Sequence, residues 1–321
     1  MKALVTGGAG FIGSHLCEAL LELGQEVVAL DNLSTGRKEN LAVCLASSRF
    51  RFVEGDITDE ASLSELTQKT DLVFHLAAAV GVEYVMRDPL KSLHTNVTGM
   101  QSLLNAMDRH QAKLIYASTS EVYGRGEKIP FSEEDDRILG PTQRMRWCYA
   151  CAKALGEYLA LAYHKQRNLP VVILRLFNVC GPRQVGHYGM VMPRFARQAL
   201  KGEPITVYGD GQQCRTFGSV HDVIAGMLAL SREPACIGEV INLGGTETVT
   251  ILGLAERIRD LTGSSSPIRM VPYEEAYGEG YEDMRRRTPD LSKAQRLVGY
   301  KPKVTLDEMI HSVIEDAVSR R

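Results

Sequence analysis

Ala3-Leu4-Val5-Thr6-Gly7-Gly8-Ala9-Gly10-Phe11-Ile12-Gly13 opens the chain with an apolar run that passes directly into a glycine-punctuated stretch. The spacing predicts a strand-to-helix turn that cradles a dinucleotide pyrophosphate. Gly7 permits the sharp turn, Gly10 a close approach of backbone to phosphate, and Gly13 tight packing of the next helix on the strand. With Phe11 and Ile12 they form the start of a helix whose N–H groups face the anion. Glycines so spaced also close ordinary strand–helix turns, so the context has to decide. A second apolar strand, Glu26 to Leu30, ends at Asp31 and Asn32, about twenty residues past the glycines, where dinucleotide folds carry a ribose-binding carboxylate. A carboxylate at Asp31 repels a 2′-phosphate, which favours NAD over NADP even with Arg37 and Lys38 nearby in sequence.

Outward from this turn, apolar runs alternate with helical patterns. Strands are expected at Lys2 to Thr6, Glu26 to Leu30, Arg51 to Glu54, Leu72 to Leu76, Lys113 to Ala117 and Val171 to Leu174. Helices are expected at Phe11 to Leu23, Glu60 to Thr67, Pro89 to about His110 and Trp147 to Gln166. Such alternation predicts an α/β fold, a Rossmann-type doubly wound parallel sheet with helices on both faces. Beyond Arg175 the pattern loosens into Gly/Pro-rich loops, with helices near Pro193 to Lys201, Asp222 to Ser231, Ile251 to Leu261 and Leu306 to Ser319. Val240 to Leu243 reads as one more buried strand. Residues 1–175 with about 216–243 are therefore expected to form the dinucleotide domain, and about 176–215 with 244–321 a smaller substrate-binding α/β lobe.

The 321 residues are 44% hydrophobic and 24% charged, with a formal net charge of -2. That balance fits a globular protein and gives no electrostatic reason to expect nucleic acid or an anionic membrane as partner. Seven scattered cysteines fit reduced thiols in the cytoplasm. Cys148 and Cys151 make a C-x-x-C, but zinc would need a second ligand pair, so no metal site is expected. The start of the chain shows no signal-peptide pattern, and no run reaches the roughly 18 apolar residues of a membrane span.

Tyr149 and Lys153 lie four apart on an expected helix, on one face. An ammonium beside the phenol, together with a cationic nicotinamide, would favour the phenolate and make Tyr149 a base. The same spacing is commonplace on helix surfaces, so its meaning rests on neighbours. Ser118-Thr119-Ser120-Glu121 supplies them at the end of a strand, the edge where open parallel sheets bind ligands.

The glycine turn, Asp31, Asp56-Ile57, His75-Leu76-Ala77-Ala78, Ser118 to Gly124 and Tyr149-x-x-x-Lys153 together resemble the extended short-chain dehydrogenase/reductase family, in particular its nucleotide-sugar epimerases, decarboxylases and dehydratases. The resemblance runs from Met1 to the last helix and takes in Arg175 to Arg183, Val207 to Gly211 and Arg285 to Asp290. It implies that Thr119 bonds the reacting sugar hydroxyl, that Tyr149 is the base and that Lys153 is its partner. It also implies that Asp56 and Ile57 border the adenine, that Leu76, Ala77 and Ala78 line the dinucleotide, and that Asn96 backs the site. Asn178, Arg215 and Arg287, with Arg183 beside them, would meet the sugar diphosphate, since the planar arginine fork suits phosphate. Each arginine taken alone could equally be a solvated surface charge. Tyr188 to Phe195, including Met192, and Ile205 to Tyr208 would enclose the base, Tyr208 stacking on it. A homodimer is expected through the helices near Pro89 to His110 and Trp147 to Gln166, with Leu93, Val97, Met100 and Leu104 as an apolar stripe.

The shared reaction implied by this resemblance oxidises the sugar at C4 to a ketone. Ser120 replaces the acid of the dehydratases, which counts against 4,6-dehydration. Thr119-Ser120-Glu121 with Arg287-Thr288-Pro289 resembles the glucuronate decarboxylases, whereas Arg146 to Cys151 and Val80 to Tyr84 depart from them. The expectation is a UDP-sugar 4-epimerase acting on a hexose or hexuronate, set narrowly ahead of a UDP-glucuronate decarboxylase. A non-catalytic dinucleotide sensor is the reading from another class, and the retained Thr119, Tyr149 and Lys153 argue against it.

Overall fold

In the computed structural model, which describes residues 1–186, 189–278 and 281–320, seven strands form one sheet. They are β1 (Lys2–Thr6), β2 (Glu26–Asp31), β3 (Phe50–Glu54), β4 (Leu72–His75), β5 (Lys113–Thr119), β6 (Val171–Leu176) and β7 (Val240–Leu243). All pairings are parallel, in the order β7-β6-β5-β4-β1-β2-β3. Burial on both faces explains the nearly continuous apolar runs. Successive residues split between two cores: Ala3, Val5, Val27 and Ala29 face one, Leu4, Val28 and Leu30 the other. The helices α1 (Phe11–Glu22) and α2 (Gly99–Asp108) cover opposite faces, Leu16 and Leu20 in the first core, Met100, Leu103 and Leu104 in the second. The chain crosses from one side of β1 to the other between β3 and β4, and the crevice at that switch point is where such sheets bind ligands.

The helix expected from Pro89 to His110 is three pieces: Pro89–Leu93, a π turn at His94–Thr98, and α2. Asn96 accounts for the break. Its Oδ1 accepts from the Ala79 N–H (3.2 Å) while its Nδ2 donates to the carbonyls of Ala79 (3.1 Å) and Ser92 (2.9 Å). The wider turn re-aims this side chain at the loop after β4, as π turns at functional sites do. Met100 and Leu104 are fully buried within the chain's own core, so half of the expected interfacial stripe faces inward. Leu90 here, and Leu155 and Tyr158 on the helix expected from Trp147 to Gln166, are large apolar residues left exposed.

Residues after β6 build smaller sheets. Ile205–Tyr208 pairs with Ile268–Val271, and Cys214–Thr216 lies between Thr248–Thr250 and Arg286–Arg287. Met192, Phe195, Val207, Leu254 and Ile310 form a separate core there. Among the described residues no helix is long and apolar enough to cross a membrane.

The long helix α3 (Cys148–Arg167) is fixed to the sheet by a buried ion pair. Glu157 accepts from Arg175 of β6 at 3.0 and 2.8 Å and also from the Ser118 hydroxyl of β5. Removing one partner leaves an uncompensated buried charge, so Arg175→Met is expected to lower unfolding free energy by about 3–5 kcal/mol. Urea titration of Arg175→Met beside Arg175→Met/Glu157→Leu checks this, the double variant losing less than the single.

Candidate functional site

A cavity of about 480 Å³ opens at the carboxyl ends of the strands, walled on one side by the glycine turn and on the other by the small sheets. Of the site residues expected from sequence, Asn96 alone does not border it; the wall holds Gly7 and Gly10 to Gly13, Asp31 and Asn32, Asp56 and Ile57, Leu76 to Ala78, Ser118 to Glu121, Tyr149 and Lys153, together with Asn178, Arg183, Met192, Tyr208, Arg215 and Arg287. Asn96 sits behind, holding both polar backbone groups of Ala79.

Steric limits impose the glycines of the turn. Gly7 has φ +72°, and a Cβ there would lie 2.8 Å from the Ala77 nitrogen; a Cβ on Gly13 would lie 2.1 Å from the Gly7 oxygen. Helix α1 begins after Gly10 with no side-chain cap and no acidic residue in its first turn, leaving its N–H groups and positive end to an incoming anion. Asp31 is buried, its carboxylate accepting from the N–H groups of Ala9 (3.0 Å) and Leu33 (2.8 Å). Burial raises its pKa and those bonds oppose the rise. Asn32 donates to Asp56 at 2.7 Å, joining the ends of β2 and β3. Arg37 and Lys38 are exposed and lie outside the cavity wall, so no cation there offsets Asp31 against a 2′-phosphate. These groups fit an adenine dinucleotide with free ribose hydroxyls.

Strand β5 ends at Thr119, whose hydroxyl caps the following turn by accepting from the Glu121 N–H at 3.2 Å and also bonds Tyr149. Lys153 lies over the Tyr116 ring, 4.5 Å from its centre. Burial depresses its pKa to about 7, with Glu157 opposing. Burial also raises the Tyr149 phenol, Glu121 adds to that rise and Thr119 opposes it. The protein alone thus holds Tyr149 as a phenol, and the depressed pKa expected from the Tyr-Lys spacing does not arise from the lysine by itself.

Glu121 is buried between two guanidiniums, Arg146 Nη1 and Arg287 Nη2, each at 2.6 Å. Burial pushes its carboxyl up, but Arg146 and then Arg287 outweigh that and hold it at about 2. Sequence reasoning passed over Arg146. Its signal is position: it precedes Tyr149 by three residues and so shares a face with it where α3 begins. Arg287 Nη1 also donates to Asn178 Oδ1 at 3.3 Å.

Farther along the cavity, Arg215 makes a two-pronged pair with Asp283, both contacts 2.8 Å. Arg183 donates to Glu18 (2.7 Å) and Ser14 (3.2 Å) of α1, so its fork is committed to that helix as Arg215 is to Asp283. Met192 is fully buried. Tyr208 lies under the guanidinium of Arg194 (4.0 Å) and against the edge of Tyr277 (5.3 Å), an aromatic wall extended by Tyr273 and Tyr281. Arg194 belongs to the segment from Tyr188 to Phe195 expected to enclose the base, whereas Tyr273, Tyr277 and Tyr281 were not anticipated; Tyr188 lies outside the described residues.

Because Glu121 is held below its ordinary 4.5, it binds fewer protons folded than unfolded, and its contribution is present above about pH 4.5 and lost as pH falls toward 2. The stability gap between wild type and Glu121→Gln should therefore narrow between pH 5 and pH 3, read from urea midpoints. A constant gap would show that Glu121 is not held down.

Residues 3–244 match the model of the NAD dependent epimerase/dehydratase family. The UDP-N-acetyl-alpha-D-glucosaminuronate decarboxylase of Bacillus cytotoxicus is 41% identical over 315 residues, covering 98% of this chain and 97% of the relative. UDP-glucuronic acid decarboxylase 1 of Danio rerio is 37% identical over 98% of this chain and 72% of its own length. The crystal structure of UDP-glucuronic acid 4-epimerase from Bacillus cereus, in complex with UDP-glucuronic acid and NAD, superposes with a TM-score of 0.91 at 35% identity, covering both chains completely. With a family model matched over residues 3–244, a relative 41% identical over 98% of the chain and a solved structure superposing along its whole length, the chain belongs to the NAD-dependent epimerase/dehydratase family.

Proposed function

We propose that this protein decarboxylates a UDP-linked hexuronate through a transient 4-keto sugar. The observation that carries this reading is Glu121, a buried carboxylate fixed by two arginines beside Thr119 and Tyr149. A site that handles a neutral hexose has no need of two buried guanidiniums next to the reacting carbon. The order of preference read from sequence, epimerase before decarboxylase, is thereby reversed, and the names of the Bacillus cytotoxicus and Danio rerio relatives support the reversal.

In this reading residues 1–175 with about 216–243 hold NAD, and about 176–215 with 244–321 hold the nucleotide sugar. The glycine turn binds the pyrophosphate, Asp31 the adenosine ribose, and Lys153 the nicotinamide ribose. NAD supplies the hydride acceptor at C4 and returns the hydride at the end. Thr119 orients the 4-hydroxyl and Tyr149 accepts its proton. The C4 ketone stands β to the C6 carboxylate, so the electrons of the C5–C6 bond pass to the ketone as carbon dioxide leaves. The resulting enolate takes a proton at C5 from water, and Tyr149 returns its proton to the C4 oxygen as the hydride comes back; Arg146 and Arg287 hold the Glu121 carboxyl below its ordinary range. Its work is to hold Arg146 and Arg287. Tyr208 and its neighbours stack on the base.

A second reading, a hexuronate 4-epimerase, is favoured by the likeness to the Bacillus cereus enzyme and shares the first step. Seven unpaired cysteines fit a cytoplasmic setting. A homodimer covering Leu90, Leu155 and Tyr158 completes the proposal, and a monomer in sedimentation at working concentration would remove that part.

Incubation with NAD and UDP-glucuronate or UDP-N-acetylglucosaminuronate should release carbon dioxide and leave a UDP-pentose. A product of unchanged mass and altered retention would favour the epimerase instead. Tyr149→Phe should lower kcat by about 10²- to 10⁴-fold with NAD affinity retained, the range for loss of a positioned acid–base group.

A further inference from the structure

We propose that Arg146 is the residue that selects a sugar bearing a carboxylate at C6, with Arg287 and Ser120 completing the seat. This rests on the hexuronate reading of the site. Three residues of the cavity wall each carry a buried polar atom with no partner among the described residues: Arg146 Nη2, Arg287 Nε and Ser120 Oγ. Two are obligatory donors and the third is a hydroxyl that donates readily. They surround Glu121, whose two oxygens already take Arg146 Nη1 and Arg287 Nη2. Orphaned buried donors are costly, and a cluster of them marks the place of an acceptor-rich ligand.

Charge points the same way. Two guanidiniums face one carboxylate, so one positive charge is uncompensated in a buried site. Neighbouring acids are committed elsewhere: Asp283 to Arg215 and Tyr273, the Glu282 side chain to Trp147 and Arg125. The complement is a compact anion with two acceptor oxygens. A hydroxymethyl group offers one oxygen and no charge.

Position separates this anion from the diphosphate. Ser120 and Glu121 follow Thr119 directly, and Arg146 lies one turn from Tyr149. C6 is attached to C5, the neighbour of the reacting C4, so a C6 carboxylate must fall beside Thr119 and Tyr149. Arg146 Nε is tied to the Glu282 carbonyl at 3.0 Å and its plane packs on Trp147, which fixes the fork with Nη2 free.

The test is calorimetric binding of UDP-glucuronate, UDP-glucose and UDP to the NAD-loaded wild type, Arg146→Met and Arg146→Gln. Wild type should prefer UDP-glucuronate to UDP-glucose, and Arg146→Met should reduce that preference about 10- to 100-fold, the effect of losing a charge-assisted hydrogen bond, while UDP affinity stays within about twofold. An unchanged preference in Arg146→Met overturns the proposal. If Arg146→Met also loses UDP, Arg146→Gln decides, because glutamine still donates to Glu121: a reduced preference supports the assignment and an intact one overturns it. Carbon dioxide release by the wild type is scored separately. Preference carried by Arg146 without that release leaves this inference standing and defeats the decarboxylase reading; release with preference intact in the variants does the reverse.

Discussion

A phenol and an amine on one helix can cooperate with a hydroxyl at a strand end only if helix and strand cannot slide, and the bonds of Glu157 prevent sliding here. One carboxylate on α3 takes the guanidinium of Arg175 from β6 and the hydroxyl of Ser118 from β5. Ser118 precedes Thr119, and Glu157 lies one turn beyond Lys153. The same clamp therefore sets the distance between strand end and helix face on which any chemistry at Thr119, Tyr149 and Lys153 depends. Close packing enforces it: a Cβ on Gly156 would sit 2.3 Å from the Tyr116 hydroxyl, and Tyr116 in turn carries Lys153 over its ring.

The electrostatics of the cavity are those of a protein that balances its own arginines until a ligand arrives. Arg215 is neutralised by Asp283 and Arg183 by Glu18, whereas Arg146 and Arg287 share one carboxylate. Burial of these pairs makes each unequal match expensive, because the surrounding medium screens little. The imbalance sits next to Tyr149, and the Arg215 pair adjoins it, Arg215 lying opposite Arg287 in the small sheet.

The sheet was legible because parallel strands buried on both faces write themselves as short apolar runs, and the glycine turn because a steric limit leaves no other residue type. Tyr149, Lys153 and Thr119 were legible through spacing and resemblance. What escaped depends on contacts between distant residues. The break at His94–Thr98 follows from Asn96 bonding Ala79, seventeen residues away, and no local propensity marks it. Arg146 carries meaning only once Glu121 is seen beside it, and Arg183 only once Glu18 is. Short helices at Val82–Arg87, Tyr273–Tyr277 and Ser292–Val298 have too few turns to show a period.

The outermost strand β7 comes from residues 240–243, some distance along the chain from its neighbour β6, with the strands Ile205–Tyr208 and Cys214–Thr216 of the small sheets lying between them in sequence. During synthesis the first six strands emerge with the β6 edge bare, its backbone N–H and C=O groups unpaired and flanked by apolar residues. Asn242 then closes more than the sheet: it takes the Tyr123 hydroxyl at 2.8 Å and donates to the Phe131 carbonyl at 2.9 Å, pinning the loop beyond Thr119. The strand end at Thr119 is thus completed by a segment that arrives late in translation. A ribosome-bound or truncated chain stopping short of that segment presents an adhesive edge and an unformed site together, a liability in assembly that the finished molecule does not show.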